Sequence, residues 1–172
     1  GGLKEIMVKG VGTFRIVPAG VVMQDIRQQV SAGATHISFG DPDFFNGPTH
    51  GLRLARALHE EFPAITFDAT IKIQHLIAHA ELLPELRRCG CLFITSAVEA
   101  VDDAILSLLA KNHTSRDFDR AVALTRAAGI ALAPTFVAFT PWTTLEGYIA
   151  LLQRLLELQL VRSVPPVQLC IR

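Results

Sequence analysis

Hydrophobic positions along the chain alternate between a helical spacing and short, strand-like runs. Apolar side chains at every fourth position predict a helix over residues 21–32, which Gly33 closes as a C-terminal cap. The run over 36–39 predicts a strand, and the turn-forming residues of 40–43 end it. The same alternation continues, predicting helices over 48–62, 74–88 (with a kink or restart at Pro84), 101–110, 115–128 and 143–160, and strands over 65–67, 92–95, 130–139 and 167–171.

The spacing of these strands predicts an α/β fold. Strands begin at intervals of about 30 to 40 residues and a helix separates each from the next. This spacing is typical of βαβ units, which form a parallel sheet. The pattern leaves two closures open, an open doubly wound sheet or part of a (β/α) barrel. Since no linker, charge run or low-complexity stretch divides the chain, residues 1–172 are predicted to form a single domain.

Composition narrows the classes of protein. The 172 residues carry 16 basic and 16 acidic side chains, so no net charge favours nucleic acid or an anionic membrane as a partner. Three cysteines do not suggest a disulfide framework, and we expect a cytoplasmic, reducing location. The C-terminal residues 169–172 lie inside a predicted strand, so we expect a fragment of a larger domain.

Polar residues collect where the predicted strands end. In parallel β/α folds the carboxyl ends of the strands share one edge, and ligands bind there. The candidates at this edge are Gly40, Asp41, Pro42, Asp43, Asp68, Lys72, Ser96, Glu99, Thr135, Phe139 and Pro141. Each also has a purely structural explanation: an Asx-capped turn over 40–43, a helix start at Glu99, a solvated charge at Lys72.

Other candidates carry weaker signals. His75 and His79 have the i, i+4 spacing of zinc ligands on a helix, but no third ligand is evident. His36, inside a strand, is expected to be a histidine with its hydrogen bonds satisfied by the fold. The cysteines do not have the spacing of a cluster ligand set: Cys89 and Cys91 flank a helix-to-strand turn, and Cys170 is expected to be buried in the last strand.

Four segments together resemble the radical SAM superfamily. Residues 39–46 are similar to the family's "GGE"-type segment, and residues 96–114 to its "GVES…L…K…T" segment. Residues 121–129 are similar to the helix before its fifth strand, and residues 135–143 to its "G-x-P-G-E-T" segment. The run Phe14–Pro18 together with 39–48 resembles, more narrowly, the group named for a CUAEP or CCAEP tail. The resemblance covers nearly the whole chain and implies a partial (β/α) TIM-like barrel of the radical SAM type.

The resemblance to this family implies that the strand-end residues bind S-adenosylmethionine. Radical SAM enzymes hold a [4Fe–4S] cluster through three thiolates of a C-x₃-C-x₂-C loop, and reductive cleavage of the bound S-adenosylmethionine yields a 5′-deoxyadenosyl radical. The resemblance implies that residues 40–42 contact the methionine amine, with Asp43 in the same motif. It places Ser96 and Glu99 near the ribose or carboxylate, and Thr135 and Pro141 near the adenine or ribose. Lys72 and Asp68 would face the carboxylate or the substrate.

The sequence also departs from the family. The C-x₃-C-x₂-C motif is absent; its expected place is just before residues 10–18, so the cluster ligands are expected outside this chain, or the protein is a pseudoenzyme. Gly40-Asp41-Pro42 replaces Gly-Gly-Glu, and bulkier residues of 139–142 replace glycines. Full-length activity would need an electron donor such as flavodoxin or ferredoxin. The alternatives are a different β/α enzyme using Asp41, Asp43 and Lys72 as acid, base or Schiff-base groups, or a non-catalytic binding module.

Overall fold

The computed structural model describes residues 16–170. Over this range the chain forms four strands and seven α-helices, joined by short turns and 3₁₀ segments. The strands are β1 (His36–Phe39), β2 (Thr66–Thr70), β3 (Cys91–Glu99) and β4 (Ala131–Phe136). The helices are α1 (Ala19–Ser31), α2 (Pro48–Glu61), α3 (Ile73–Ala78), α4 (Leu83–Arg88), α5 (Asp103–Leu108), α6 (Ser115–Ala127) and α7 (Leu145–Glu157).

The sheet is parallel and its strands follow one another in chain order, β1-β2-β3-β4. A doubly wound sheet reverses its strand order once, at the point where the helices change faces. No reversal occurs among the described strands, so the closure left open by the sequence is decided in favour of a singly wound, partial (β/α) barrel.

Burial along the strands shows that the helices cover only one face of the sheet. In β3, Ile94, Ser96 and Val98 are fully buried, whereas Thr95 and Ala97 between them remain partly exposed. We call the helix-covered side the outer face and the opposite side the inner face. The inner face carries mostly small or polar side chains: His36, Ser38, Thr66, Asp68, Thr70, Phe93, Thr95, Ala97, Ala133 and Thr135.

Glycine caps confirm two of the predicted helix ends. Gly33 and Gly129 follow α1 and α6 with φ of 98° and 72°, the left-handed conformation that glycine adopts without strain. Both complete Schellman motifs, in which the next residue's N–H reaches back to the third-last helical carbonyl, as Ile130 does to Thr125 at 2.9 Å. The helices therefore end where the glycines predict.

Several predicted bounds were wrong. The helix expected over 74–88 is two short helices separated by a 3₁₀ turn. Pro84 lies in the first turn of the second helix, where its missing N–H is not needed, so the restart rather than the kink expected there is confirmed. The helix expected over 101–110 is confined to α5, because Asp102 caps it through the Ala104 N–H. The strand expected to reach residue 139 ends at Phe136.

The last predicted strand, 167–171, is also wrong within its described residues. Pro166–Leu169 forms a 3₁₀ turn, because Pro165 and Pro166 fix φ and lack the N–H groups that a strand would donate. In place of a strand, the Gln168 side-chain oxygen accepts from the Phe136 N–H of β4 at 2.9 Å. Cys170 is consequently exposed rather than buried in a strand.

Some predictions fall where the structure gives no description. The place expected for a cysteine loop, ahead of Gly10, lies outside the described residues, as do Phe14 and Ile171. Among residues 16–170, no helix has both the length and the apolarity needed to cross a bilayer.

Candidate functional site

The turn after β1 forms the first part of the strand-end site. Asp41 Oδ1 accepts the Asp43 N–H at 2.8 Å, which is the Asx turn that the sequence predicts. Gly40, Asp41 and Pro42 are exposed along this turn, so their backbone groups are open to a ligand. The chain then enters a 3₁₀ segment, Phe44–Asn46, whose two phenylalanines anchor the turn in the core.

Asp43 is a buried carboxylate with Lys72 and His75, from the start of α3, beside it. It is only 3% exposed, and its Oδ2 lies 2.7 Å from His75 Nδ1 and 3.4 Å from Lys72 Nζ. The Lys72 N–H donates to its Oδ1 at 3.4 Å. The structure thus brings together Asp43 and Lys72, and adds His75, which the sequence had suggested only as a zinc ligand. The only sequence signal for His75 was its i, i+4 spacing with His79.

Glu99 ends β3 in a strained conformation. Its φ is 71°, in the left-handed region that costs a residue with a Cβ about 1–2 kcal/mol. The strand register shifts there, and the Glu99 carbonyl accepts from Val137 N–H at 2.9 Å. Lys111 Nζ donates to Glu99 Oε1 at 2.8 Å, and no described residue donates to Oε2. Strain of this kind collects at functional sites, where surrounding contacts enforce it.

Ser96 lies apart from these groups. It is 0% exposed on the outer face, and its hydroxyl donates to the Ile71 carbonyl at 2.6 Å. The hydroxyl therefore ties β3 to the end of β2 and is not presented on the inner face.

The fourth strand supplies Thr135 and the loop that follows. Thr135 is partly exposed on the inner face, opposite Ala97 of β3. Pro141 is exposed in the loop before α7, and Thr143 holds this loop by accepting the Thr140 N–H at 2.9 Å. Phe139 packs on Tyr148 with ring centroids 4.9 Å apart, so the bulky residues that replace family glycines are partly supported by α7.

Asp68 does not lie at the strand end. It sits at the middle of β2, two residues before Thr70, with its side chain on the inner face. Its Oδ1 accepts from Ser38 Oγ at 2.5 Å and contacts His36 Nε2 at 2.9 Å. His36 Nδ1 also contacts Thr66 Oγ1 at 2.8 Å, which confirms that this histidine is satisfied by the fold.

No cluster-binding set is found among the described residues, where no three His, Cys, Asp or Glu side chains are close enough to hold a metal ion. Cys89 and Cys91 are buried, and burial, aided by the charge of Asp68 and opposed by Arg87, raises the pKa of the Cys91 thiol to about 12. Thiolates are the ligands of iron–sulfur clusters, so these thiols do not fit that role.

Neither a protein-family model nor a curated protein sequence matches the chain. Solved structures of three radical enzymes share its fold. The cobalamin-dependent S-adenosylmethionine radical enzyme OxsB, with aqua-cobalamin and S-adenosylmethionine bound, superposes with a TM-score of 0.69 at 19% identity, over 80% of this chain and 22% of that one. The radical S-adenosylmethionine methyltransferase TsrM from Kitasatospora setae gives 0.65 at 18%, over 83% and 27%. Coproporphyrinogen III oxidase HemN from Escherichia coli, a radical SAM enzyme, gives 0.60 at 16%, over 81% and 35%.

At these identities the likeness establishes a shared fold, a four-stranded portion of the radical SAM type of barrel. The chain spans about a fifth to a third of the length of these enzymes.

Proposed function

We propose that this chain is the S-adenosylmethionine-binding part of a radical SAM enzyme barrel. The observation that carries the proposal is the fold shared with radical SAM enzymes over four fifths of the chain, combined with motif-like residues at the strand ends. The cluster would be held by thiolates outside the described residues. Bound beside a reduced cluster, S-adenosylmethionine supplies a 5′-deoxyadenosyl radical.

The strand-end residues have the chemistry that this ligand requires. The exposed residues 40–42 would offer backbone carbonyl oxygens to the methionine ammonium, with the buried Asp43 carboxylate next in the chain. Lys111 holds Oε1 of Glu99, and Oε2, to which no residue of 16–170 donates, could accept from ribose hydroxyls. Thr135, partly exposed, and Pro141, exposed, would contact the adenine or ribose. Since the Ser96 hydroxyl is engaged by Ile71, any contact from this residue would come from its backbone.

A different class of enzyme remains as a second candidate, because Asp43 lies 2.7 Å from the His75 imidazole. A buried carboxylate beside a histidine is a common arrangement for general acid–base catalysis, although the 2.7 Å contact here does not have the geometry of a hydrogen bond. This candidate needs neither S-adenosylmethionine nor a cluster, so ligand binding separates the two functions.

Equilibrium dialysis with radiolabelled S-adenosylmethionine tests the proposal. We expect saturable binding, weakened about tenfold by Glu99→Gln, since hydrogen bonds to a charged group contribute roughly 1.5–3 kcal/mol. Glu157→Gln is the matched control: Glu157 lies on α7, paired with Arg154, and its loss should leave the affinity unchanged. Absence of binding by the unsubstituted protein would refute the proposal.

Anaerobic iron–sulfur reconstitution of the gene's full open reading frame addresses the chemistry. With flavodoxin, ferredoxin or dithionite as donor, release of 5′-deoxyadenosine would support a radical enzyme. Binding of S-adenosylmethionine without a cluster or cleavage would instead support a pseudoenzyme.

A further inference from the structure

A polar cluster occupies the inner face away from the strand-end site. It consists of His36 and Ser38 of β1 and Thr66 and Asp68 of β2, which pair directly across the two strands. The His36 ring stacks on Phe93 of β3, with centroids 6.0 Å apart and an interplanar angle of 11°. We refer to these four polar residues as the inner-face cluster.

Hydrogen bonding in the inner-face cluster leaves one strong acceptor unused. Both neighbours of Asp68 contact the same oxygen, Oδ1, while no described residue donates to Oδ2. Asp68 is 9% exposed, yet Oδ2 is not one of the polar atoms sealed from solvent without a partner. An ionised carboxylate can accept about four hydrogen bonds, so Asp68 has capacity for a ligand.

The cluster is negatively charged when its histidine is neutral. The tautomer with hydrogen on Nε2 satisfies both contacts of His36, because it donates to Asp68 and accepts from the Thr66 hydroxyl. No described lysine or arginine makes an ion pair with Asp68. With His36 neutral, hydrogen bonds are therefore all that offset the carboxylate charge among the described residues.

Fold stability does not require such a group. Burying a carboxylate without a cationic partner is unfavourable, and an apolar side chain at this buried sheet position would be more stable. The neighbouring inner-face positions illustrate this, since they are occupied by neutral residues such as Thr70, Thr95 and Ala133.

We propose that the inner-face cluster binds the primary ammonium group of a substrate. An ammonium is compact and donates in three directions, which suits the single free oxygen of Asp68 together with the exposed Ser38 hydroxyl. A guanidinium fork requires both carboxylate oxygens for bidentate pairing, and Oδ1 already has two partners. A neutral hydroxyl would lack the charge attraction.

The position of the cluster agrees with a substrate lying deeper than the strand-end ligand. Asp68 lies two residues before the end of β2, about 7 Å along the strand from that edge. The identification of the ligand as a substrate rests on the proposed function, whereas ammonium binding by the cluster does not.

Nuclear magnetic resonance titrations of the protein at pH 7.5 test this site. The probes are 1,4-diaminobutane, its neutral counterpart 1,4-butanediol, and methylguanidinium, with the His36 ring resonance as the readout and His36→Gln for its assignment. We expect saturable shifts with the diamine, none with the diol, and at least several-fold weaker binding of methylguanidinium. Equal responses to diamine and diol, or preference for methylguanidinium, would overturn the proposal.

Two variants locate the binding. Asp68→Asn should weaken diamine binding about tenfold, the amount expected for a hydrogen bond to a charged group. Ser38→Ala keeps the charge and removes an exposed hydroxyl, so it should weaken binding several-fold even if Asp68→Asn fails to fold. Asp25→Asn, on α1, is the control carboxylate and should change nothing. Unaltered binding by both cluster variants would refute the site.

Dialysis of the unsubstituted protein with S-adenosylmethionine keeps the two proposals separate. Diamine binding without S-adenosylmethionine binding would overturn the proposed function but support the ammonium site. The reverse result would support the function and overturn the site.

Discussion

Among single residues, Glu99 combines a strained backbone conformation with an ion pair to Lys111. Left-handed φ values also occur at Ala110 and Gln159, but those residues follow helix ends, where this conformation is usual. Glu99 instead terminates a strand beside the register shift with β4. A glycine would adopt this conformation without strain, whereas Glu99 carries a carboxylate that Lys111 holds in place.

Glu99→Gly should therefore separate stability from binding. We expect the free energy of unfolding to stay within about 1 kcal/mol of the parent value, since relief of roughly 1–2 kcal/mol of strain offsets the lost ion pair and the added chain entropy. S-adenosylmethionine affinity should fall at least as far as in Glu99→Gln. Urea titration and dialysis measure the two quantities; destabilisation beyond about 2 kcal/mol would contradict the functional interpretation of the strain.

Among the secondary-structure elements of residues 16–170, four helices end in Schellman motifs. Those after α1 and α6 have glycine in the left-handed position, whereas α5 and α7 have Ala110 and Gln159 there. At α7 the Leu160 N–H donates to the Leu155 carbonyl at 2.8 Å, so the motif forms despite the unfavourable residue. The same backbone geometry is thus present with and without its preferred residue.

Gln159→Gly should raise the free energy of unfolding by about 0.5–1 kcal/mol, because the relieved Cβ strain exceeds the added unfolded-state entropy. Gly129→Ala is the opposite change in the same motif and should lower it by about 1 kcal/mol. Thermal unfolding followed by circular dichroism would show both shifts. A destabilised Gln159→Gly variant would mean that the glutamine side chain makes a stabilising contact.

The whole molecule separates a helix-sealed outer face from an accessible inner face. Cys89 and Cys91 lie at the amino-terminal end of β3 beneath the helices, while Cys170 lies in the exposed C-terminal 3₁₀ region. Gly90 between the buried pair has φ of 103°, and a Cβ there would approach the Ile65 carbonyl oxygen to 2.9 Å. This close contact joins the β2 and β3 segments at the edge opposite the candidate site.

Iodoacetamide should distinguish these cysteines. The raised pKa of Cys91, about 12 through burial and the nearby Asp68 charge, keeps the thiol protonated throughout pH 7–9, and the thiolate is the reactive form. We expect mass spectrometry to find rapid alkylation of Cys170 and none of Cys91 until urea unfolds the protein. Labelling of Cys91 that rises between pH 7 and 9 without denaturant would contradict the sealed outer face.

Local patterns account for the features that the sequence alone determined. The βαβ alternation, the caps at Gly33 and Gly129, and the Asx turn at Asp41 depend on neighbouring residues, because spacing, φ preference and short side-chain contacts act within a few positions. The strand-end location of Asp43, Lys72 and Glu99 followed from the same alternation. Pro165 and Pro166 also acted locally, although the apolar run after them suggested a strand.

Only the tertiary structure decided which candidates meet. Sheet order selected the singly wound closure, since hydrogen bonds between distant strands leave no trace in local spacing. The tertiary structure also places His75 next to Asp43, directs the Ser96 hydroxyl to the Ile71 carbonyl on the outer face, and places Asp68 beside His36 on the inner face. Strand faces alternate with every residue, so a shift of one position in register or strand bound moves a side chain from ligand space to core.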